Sequence, residues 1–140
     1  MFSALDVSTS ALVAQRMRLN AIAGNIANMS TTHNEAGEAM PYQPRFTVFK
    51  TDNAVSTPEG AHGVKVESVE IAQQEPRWKY QPGHPDAVKE GPRKGWVAYP
   101  DIDMVEQSVD ALEATRAYEA NVGVIEMTKS LSSTTLKILG

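Results

Sequence analysis

The residues of this chain that could move a proton or hold a metal are present, but their spacing builds no reaction centre. His33, His62 and His84 stand far apart in loop-like sequence, without the i, i+4 spacing that sets two imidazoles on one helical face. Each reads as an ordinary exposed loop residue. Asp101, Asp103 and Glu106 crowd a short stretch, yet a hard cation wants more oxygen ligands in a fixed loop. Helix capping explains the trio: Asp103 and Glu106 have capping-box spacing, and acids favour a helix N-terminus. Glu113 with Arg116, and Glu126 with Lys129, stand at i, i+3 and read as solvated helical pairs. The sequence holds no phosphate loop, nucleophile elbow or HExxH motif. With no cysteine, thiolate sites and disulfides are excluded. The expectation is a protein without catalytic, cofactor-binding or metal residues, and not an enzyme.

The elements explain what the chain is for better than its reactive groups do. At 140 residues the chain is one compact unit or less. A net charge of −4 and a pI near 5.3 argue against a nucleic-acid partner. No apolar run approaches the roughly 18 residues of a membrane span, and Asp6 falls where a secretory signal would be apolar. Neither membrane insertion nor a cleaved signal is expected. All eight prolines fall between Pro41 and Pro100, leaving both ends free of the strongest helix breaker. The expected organisation is an N-terminal helix and polar loop over 1–40, a β-rich middle over 41–100 and a C-terminal helix over 101–140. Residues 1–100 carry ten acids and ten bases, whereas 101–140 carry seven acids and three bases, so the net charge sits on the last segment.

In the first segment Leu5, Leu12, Leu19 and Ile26 recur every seven residues, the spacing that keeps one seam against a partner helix. Phe2, Ile22, Ala23 and Met29 fill adjacent positions, and Ala4 and Ala11 would let another backbone approach. Ser3 with Asp6 fits a helix start, and the cluster from Asn25 to Thr32 ends the apolar period. The last segment predicts a helix from near Met104 with two apolar stripes. Met104, Ala111, Tyr118, Val122 and Ile125 form one; Val105, Val109, Leu112, Ala120, Val124, Met127 and Leu131 lie nearer the opposite side. One partner cannot cover both, and a chain this short has no large core to surround them, so self-association is implied. Ser132 to Thr135 have modest helix propensity and interrupt both stripes. In the middle, Phe46–Phe49, Val64–Ile71, Trp78–Tyr80 and Trp96–Tyr99 read as short strands, with loops at 52–63 and 82–95.

These residues carry a resemblance. Ser10-Ala11-Leu12, Ala14-Gln15, Arg18-Leu19-Asn20 and Asn25-Ile26-Ala27-Asn28 resemble the N-terminal signature of flagellar axial proteins. Tyr99-Pro100-Asp101-Ile102-Asp103 and Arg116-Ala117-Tyr118-Glu119-Ala120-Asn121-Val122 are similar to the pattern that opens and centres the C-terminal helix of one type. With the Gly63-Val64-Lys65-Val66 strand between them, the chain resembles the proximal rod proteins of the bacterial flagellar basal body, FlgC type, over essentially its whole length. It departs from that pattern in the polar stretch Met29–Met40, with Gln43-Pro44 before Arg45, and at Ser132–Thr135.

The resemblance implies a mainly α fold with a small β-rich insertion, its long terminal helices pairing as a coiled coil and the middle facing outward. It implies a structural subunit stacking helically, with itself and other rod subunits, into a torque-transmitting shaft across the periplasm. Export through the flagellar type III apparatus is implied too. Seam and motif together nominate an assembly interface: Leu5, Leu12, Leu19, Ile22, Asn25, Ile26, Asn28, Met104, Tyr118, Ala120, Asn121, Val122 and Ile125. The alternative is a helix-dimerised binding module with a ligand or partner site in the β-rich middle.

Overall fold

The proline-free ends form the helices that their periodicity predicts. A computed structural model describes residues 2–140. Helix α1 (Phe2–Ala27) is followed by strands β1 (Arg45–Ser56), β2 (His62–Ile71), β3 (Arg77–Tyr80) and β4 (Trp96–Tyr99), then helix α2 (Met104–Leu139). The architecture is mainly helical with a small β insertion. The helix start expected from Ser3 and Asp6 is displaced: α1 is already helical at Phe2, so neither residue stands ahead of it. Its end does fall in the Asn-rich cluster, where Asn28 Nδ2 donates to the Gly24 carbonyl at 2.9 Å and Asn28 Oδ1 accepts from Thr31 Oγ1 at 3.1 Å. Such side-chain bonds compete with the next helical turn.

Asp103 caps α2, its carboxylate accepting from Val105 N at 2.8 Å. Glu106 lies in the first turn, but among the described residues it makes no bond back to Asp103, and Asp103 accepts from Val105 N instead of Glu106 N, so a simple N-cap stands in place of the capping box. The helix runs through Ser132–Thr135 to Leu139. There Thr134 and Thr135 hydroxyls donate to the carbonyls of Ser130 and Leu131, at 3.0 and 2.9 Å. That back-bonding satisfies the hydroxyls but slightly weakens the helix.

The middle folds as two separate antiparallel hairpins, β1–β2 and β3–β4. The first is longer than its sequence suggests. Residues 52–63, expected as a loop, belong largely to strands: Asp52 pairs with Gly63 and Ser56 with His62, leaving a turn at 57–61. Asp52 to Ser56 lacks the apolar alternation of a half-buried strand, and cross-strand pairing overrides that weak local preference. Thr57 Oγ1 closes the turn by accepting from Ala61 N at 3.1 Å, and Gly60 supplies its positive φ of 89°. Residues 82–95 do form turns, tied by Gly95 N to the Val88 carbonyl at 2.9 Å.

Helix α1 lies between its partners, packed on α2 and on both strands of the first hairpin. The close approach to the hairpin occurs at Gly63, where a Cβ would stand 2.9 Å from both Ser10 Oγ and Val55 Cβ. Ser10 Oγ accepts from Val64 N at 3.0 Å and donates to the Val7 carbonyl, stitching helix to strand.

The second hairpin is tied to the chain after α1 by a polar clasp. Buried Thr32 donates from Oγ1 to Asp86 Oδ2 at 2.6 Å, and His33 Nδ1 approaches the same oxygen at 3.3 Å. His84 Nδ1 accepts from Asp86 N at 3.1 Å. Two histidines that sequence separates are thus neighbours, but their facing atoms are spent on the clasp, and among the described residues no cluster could hold a metal. The Thr32 hydroxyl, helped by His33 and His84, holds the Asp86 carboxyl below the usual range while burial opposes it. A carboxyl with a lowered folded pKa stabilises the fold above its unfolded pKa, about 3.9, and loses that contribution as pH falls through the lowered value. Carbon-detected NMR titration should find an Asp86 midpoint below the ordinary Asp value, returning towards it in Thr32→Val; an unshifted wild-type midpoint would contradict the clasp.

Candidate assembly interface

The nominated residues fall mostly on the paired helices, and the polar bonds between those helices set their direction and register. Asn25 of α1 meets Gln107 near the start of α2, while Arg18, further back along α1, meets Asp110 and Glu113. The helices therefore run antiparallel. Arg18 Nη2 lies 3.2 Å from Glu113 and 3.8 Å from Asp110. The expected Glu113–Arg116 pair is replaced by this interhelical one, because the guanidinium from α1 reaches across. Its exposure limits it to a few tenths of a kcal/mol, roughly; its use is alignment.

Asn25 is 3% exposed and uses its whole hydrogen-bonding capacity. Its Nδ2 donates to the Arg45 carbonyl at 2.8 Å and to Gln107 Oε1 at 3.0 Å. Its Oδ1 accepts from Arg45 N at 2.8 Å and from the Tyr42 hydroxyl at 3.2 Å. One amide thereby joins α1, α2, β1 and the segment leading into the hairpin.

The leucine seam lies to one side of the packed face. Leu5, Leu12, Leu19 and Ile26 are half-buried, whereas Ser8, Ala14, Ile22 and Asn25 are buried. Gln15, also facing inward, has a buried Oε1 without a hydrogen-bond partner. On α2 the buried residue is Ala114, flanked by half-buried Asn121, Val122 and Ile125. Asn121 Nδ2 donates to the Ala117 carbonyl of its own helix at 2.8 Å. Met104, Tyr118 and Ala120 are exposed.

The two stripes on α2 part as their angular separation requires. The first contributes Ala111, Val122 and Ile125 to the neighbourhood of α1. The second faces solvent, with Val105 71%, Val109 58%, Leu112 54%, Met127 66% and Leu131 65% exposed. With 26 residues in α1 and 36 in α2, the longer helix extends about 15 Å further. Leu136, Ile138 and Leu139 on that projecting end are 70–80% exposed. No helix among the described residues is long and apolar enough to cross a membrane.

Sequence reading named Ser10 and Gly63 only as motif residues, without their part in bringing helix and hairpin together, and missed Gln107, which receives Asn25. Small residues at Ser8, Ser10 and Ala14, on the face beside the leucines, were the available signal for a second packed surface. Asn25→Ala should cost about 3 kcal/mol, because the backbone of Arg45 and the amide of Gln107 lose partners together. Asn28→Ala, which loses local bonds at a helix end, should cost about 1 kcal/mol. Urea unfolding of the purified chains measures both, and equal losses would refute the central place of Asn25.

Comparison with known proteins agrees with this geometry at both ends of the chain. Residues 5–33 match the family described as Flagella basal body rod protein, and residues 93–138 match Flagellar basal body rod FlgEFG protein C-terminal. The flagellar basal-body rod protein FlgC of Borreliella burgdorferi is 36% identical, covering 99% of this chain and 97% of its own length. FlgC of Salmonella typhimurium is 37% identical over 95% of this chain and 93% of its own. FlgC of Bacillus subtilis is 33% identical over 98% and 97%. Likeness of this extent, joined to the two matched terminal regions, makes the chain a member of the FlgC family of flagellar basal-body rod proteins.

Proposed function

We propose that the chain works by polymerising: its terminal helices stack copies of it, and other rod subunits, into the helical shaft that carries torque across the periplasm. As a flagellar basal-body rod protein it is a structural subunit and not an enzyme. The observation that carries the polymerising role is surface. The chain exposes 9631 Å², where a compact monomer of 15.2 kDa would expose about 7,100 Å². The excess, about 2,500 Å², is the size of a permanent interface, and the outward stripe of α2 makes much of it apolar. Burial of that stripe against neighbours supplies the stabilisation a single subunit lacks.

In this reading the nominated residues divide by accessibility. Leu5, Leu12, Leu19 and Ile26 remain half-open for a neighbouring helix, as do Val122 and Ile125; Met104, Tyr118 and Ala120 are free to meet one. Ile22 and Asn25 serve assembly indirectly, by fixing the pair that presents the others, whereas the side-chain bonds of Asn28 and Asn121 are local to the end of α1 and to α2. Passage through the flagellar type III export apparatus, without membrane insertion, completes the proposal. The binding-module alternative is not favoured, because the relatives that match nearly the whole chain, and the families matched at both ends, are flagellar basal-body rod proteins.

Forcing a carboxylate into the seam leaves it desolvated and unpaired, at a cost of several kcal/mol, repeated at every subunit. Leu12→Asp or Leu19→Asp should abolish incorporation into purified basal bodies, and motility, while the protein is still made. His62→Ala, on an exposed strand end, should leave both intact; normal incorporation of both leucine variants would sink the proposal. Hydrogen exchange on assembled rods gives a second measure: Ser132–Thr135 should exchange fastest within α2, and protection there equal to that of Tyr118–Ile125 would rule this out.

A further inference from the structure

The outer hairpin carries a surface that the helix pair does not explain. Side chains alternate across a strand, and paired residues share a face. With Trp78 opposite Ala98, and Tyr80 opposite Trp96, these four lie together on one face of β3–β4. Val97, on the other face, is fully buried. The first face therefore points outward, with Tyr80 62% and Trp96 39% exposed and their rings 5.6 Å apart, edge to face. Arg93 lies 4.4 Å from the Trp78 ring centroid, holding its guanidinium over the aromatic surface. Gly95, at φ 83°, lets the Tyr80 ring lie where a Cβ would meet it at 2.8 Å. Beside Tyr80 opens a cleft of about 720 Å³ whose rim includes Lys89 and Lys94.

Charge gives this face a partner. From Arg77 to Tyr99 there are five basic residues and two acids, and one acid, Asp86, is held in the clasp. Lys89, Arg93 and Lys94 make no ion pair among the described residues. The complementary surface is on the same chain but faces elsewhere: the outward stripe of α2 is apolar except for Arg116 within it, and is bordered by three acids, Glu106, Glu119 and Glu126, which also lack ion-pair partners among the described residues. Aromatic and arginine side chains are the groups that most often anchor protein interfaces. We propose that the Trp78–Tyr80–Trp96 face of the outer hairpin docks on the outward stripe of α2 in a second copy, with Arg93, Lys89 and Lys94 set against Glu119 and Glu126. Two different surfaces meet, so the contact is head-to-tail and propagates instead of closing on itself. The proposal rests on the polymerising role given above and adds which surfaces meet.

Photo-cross-linking in basal bodies tests it. Trp96 is replaced by p-benzoylphenylalanine in one tagged copy and co-expressed with a second copy bearing a different tag, so that a doubly tagged product must join two chains. The expected product maps to residues 104–131 of the second copy. Arg93→Glu with Lys94→Glu should reduce its yield about tenfold by setting like charges together, and Glu119→Lys with Glu126→Lys in the partner copy should restore most of it. The same charge swap, read without the cross-linker as incorporation into basal bodies, should show the same loss and rescue. Cross-links to another rod protein or to a glycan strand, or a swap that neither impairs nor rescues, overturn the proposal while leaving the rod assignment intact. Absence of the wild-type chain from basal bodies would instead overturn the assignment beneath it.

Discussion

Asn25 spends both amide protons and both carbonyl lone pairs on partners from α2, from Arg45 at the head of β1 and from Tyr42 before it. The rest of the structure depends on that junction. A buried amide is costly unless every valence is met, and here each partner comes from a different part of the chain. Helix register, helix direction and hairpin entry are therefore fixed together. An apolar residue at this place could fill the space but would not choose among registers, and the Arg45 backbone would be left without partners.

Around this point the chain buries little. Among the described residues the buried apolar side chains are Ala14, Ile22, Val97, Ile102 and Ala114, so close helix approach comes from alanine and serine more than from interlocked leucines. Small residues bring backbones together without much apolar area. Larger ones, from Val105 to Leu131 along α2, are kept outside. That inversion suits a subunit whose hydrophobic burial is completed by its neighbours, and it explains why a polar junction, not a large core, sets the geometry.

The clasp at Asp86 does for the outer hairpin what Asn25 does for the helices. Thr32 and His33 lie one turn beyond the end of the first helix, and their bonds to Asp86 give the long turn between β3 and β4 a fixed anchor. Arg77 adds a surface pair with Asp101 just ahead of α2, at 2.6 Å. Polar anchors at both ends hold the hairpin over a small buried patch containing Val97, and its aromatic face is left outward. Specific orientation thus comes from a few satisfied hydrogen bonds, while exposed apolar area remains available for assembly.

The helices and the two stripes of α2 were legible in the sequence, because periodicity and the confinement of proline to the middle are local properties. The cap at Asp103 was legible for the same reason, as were the short strands of the second hairpin. The terminal motifs likewise carried the family likeness without any knowledge of contacts. Tertiary structure alone decided which stripe faces inward, that the leucine seam sits beside the packed face, and that Arg18 takes Glu113 from its helical neighbour. It also extended β1 to Ser56, where pairing with β2 outweighs a weak local signal. Asn25, Thr32, His33 and Asp86 make the contrast plain. Their types could be read from the chain, but their roles come from partners 17 to 82 residues away in sequence. Hydrogen-bond partners at such separations leave no periodic trace; only the folded backbone brings them within reach.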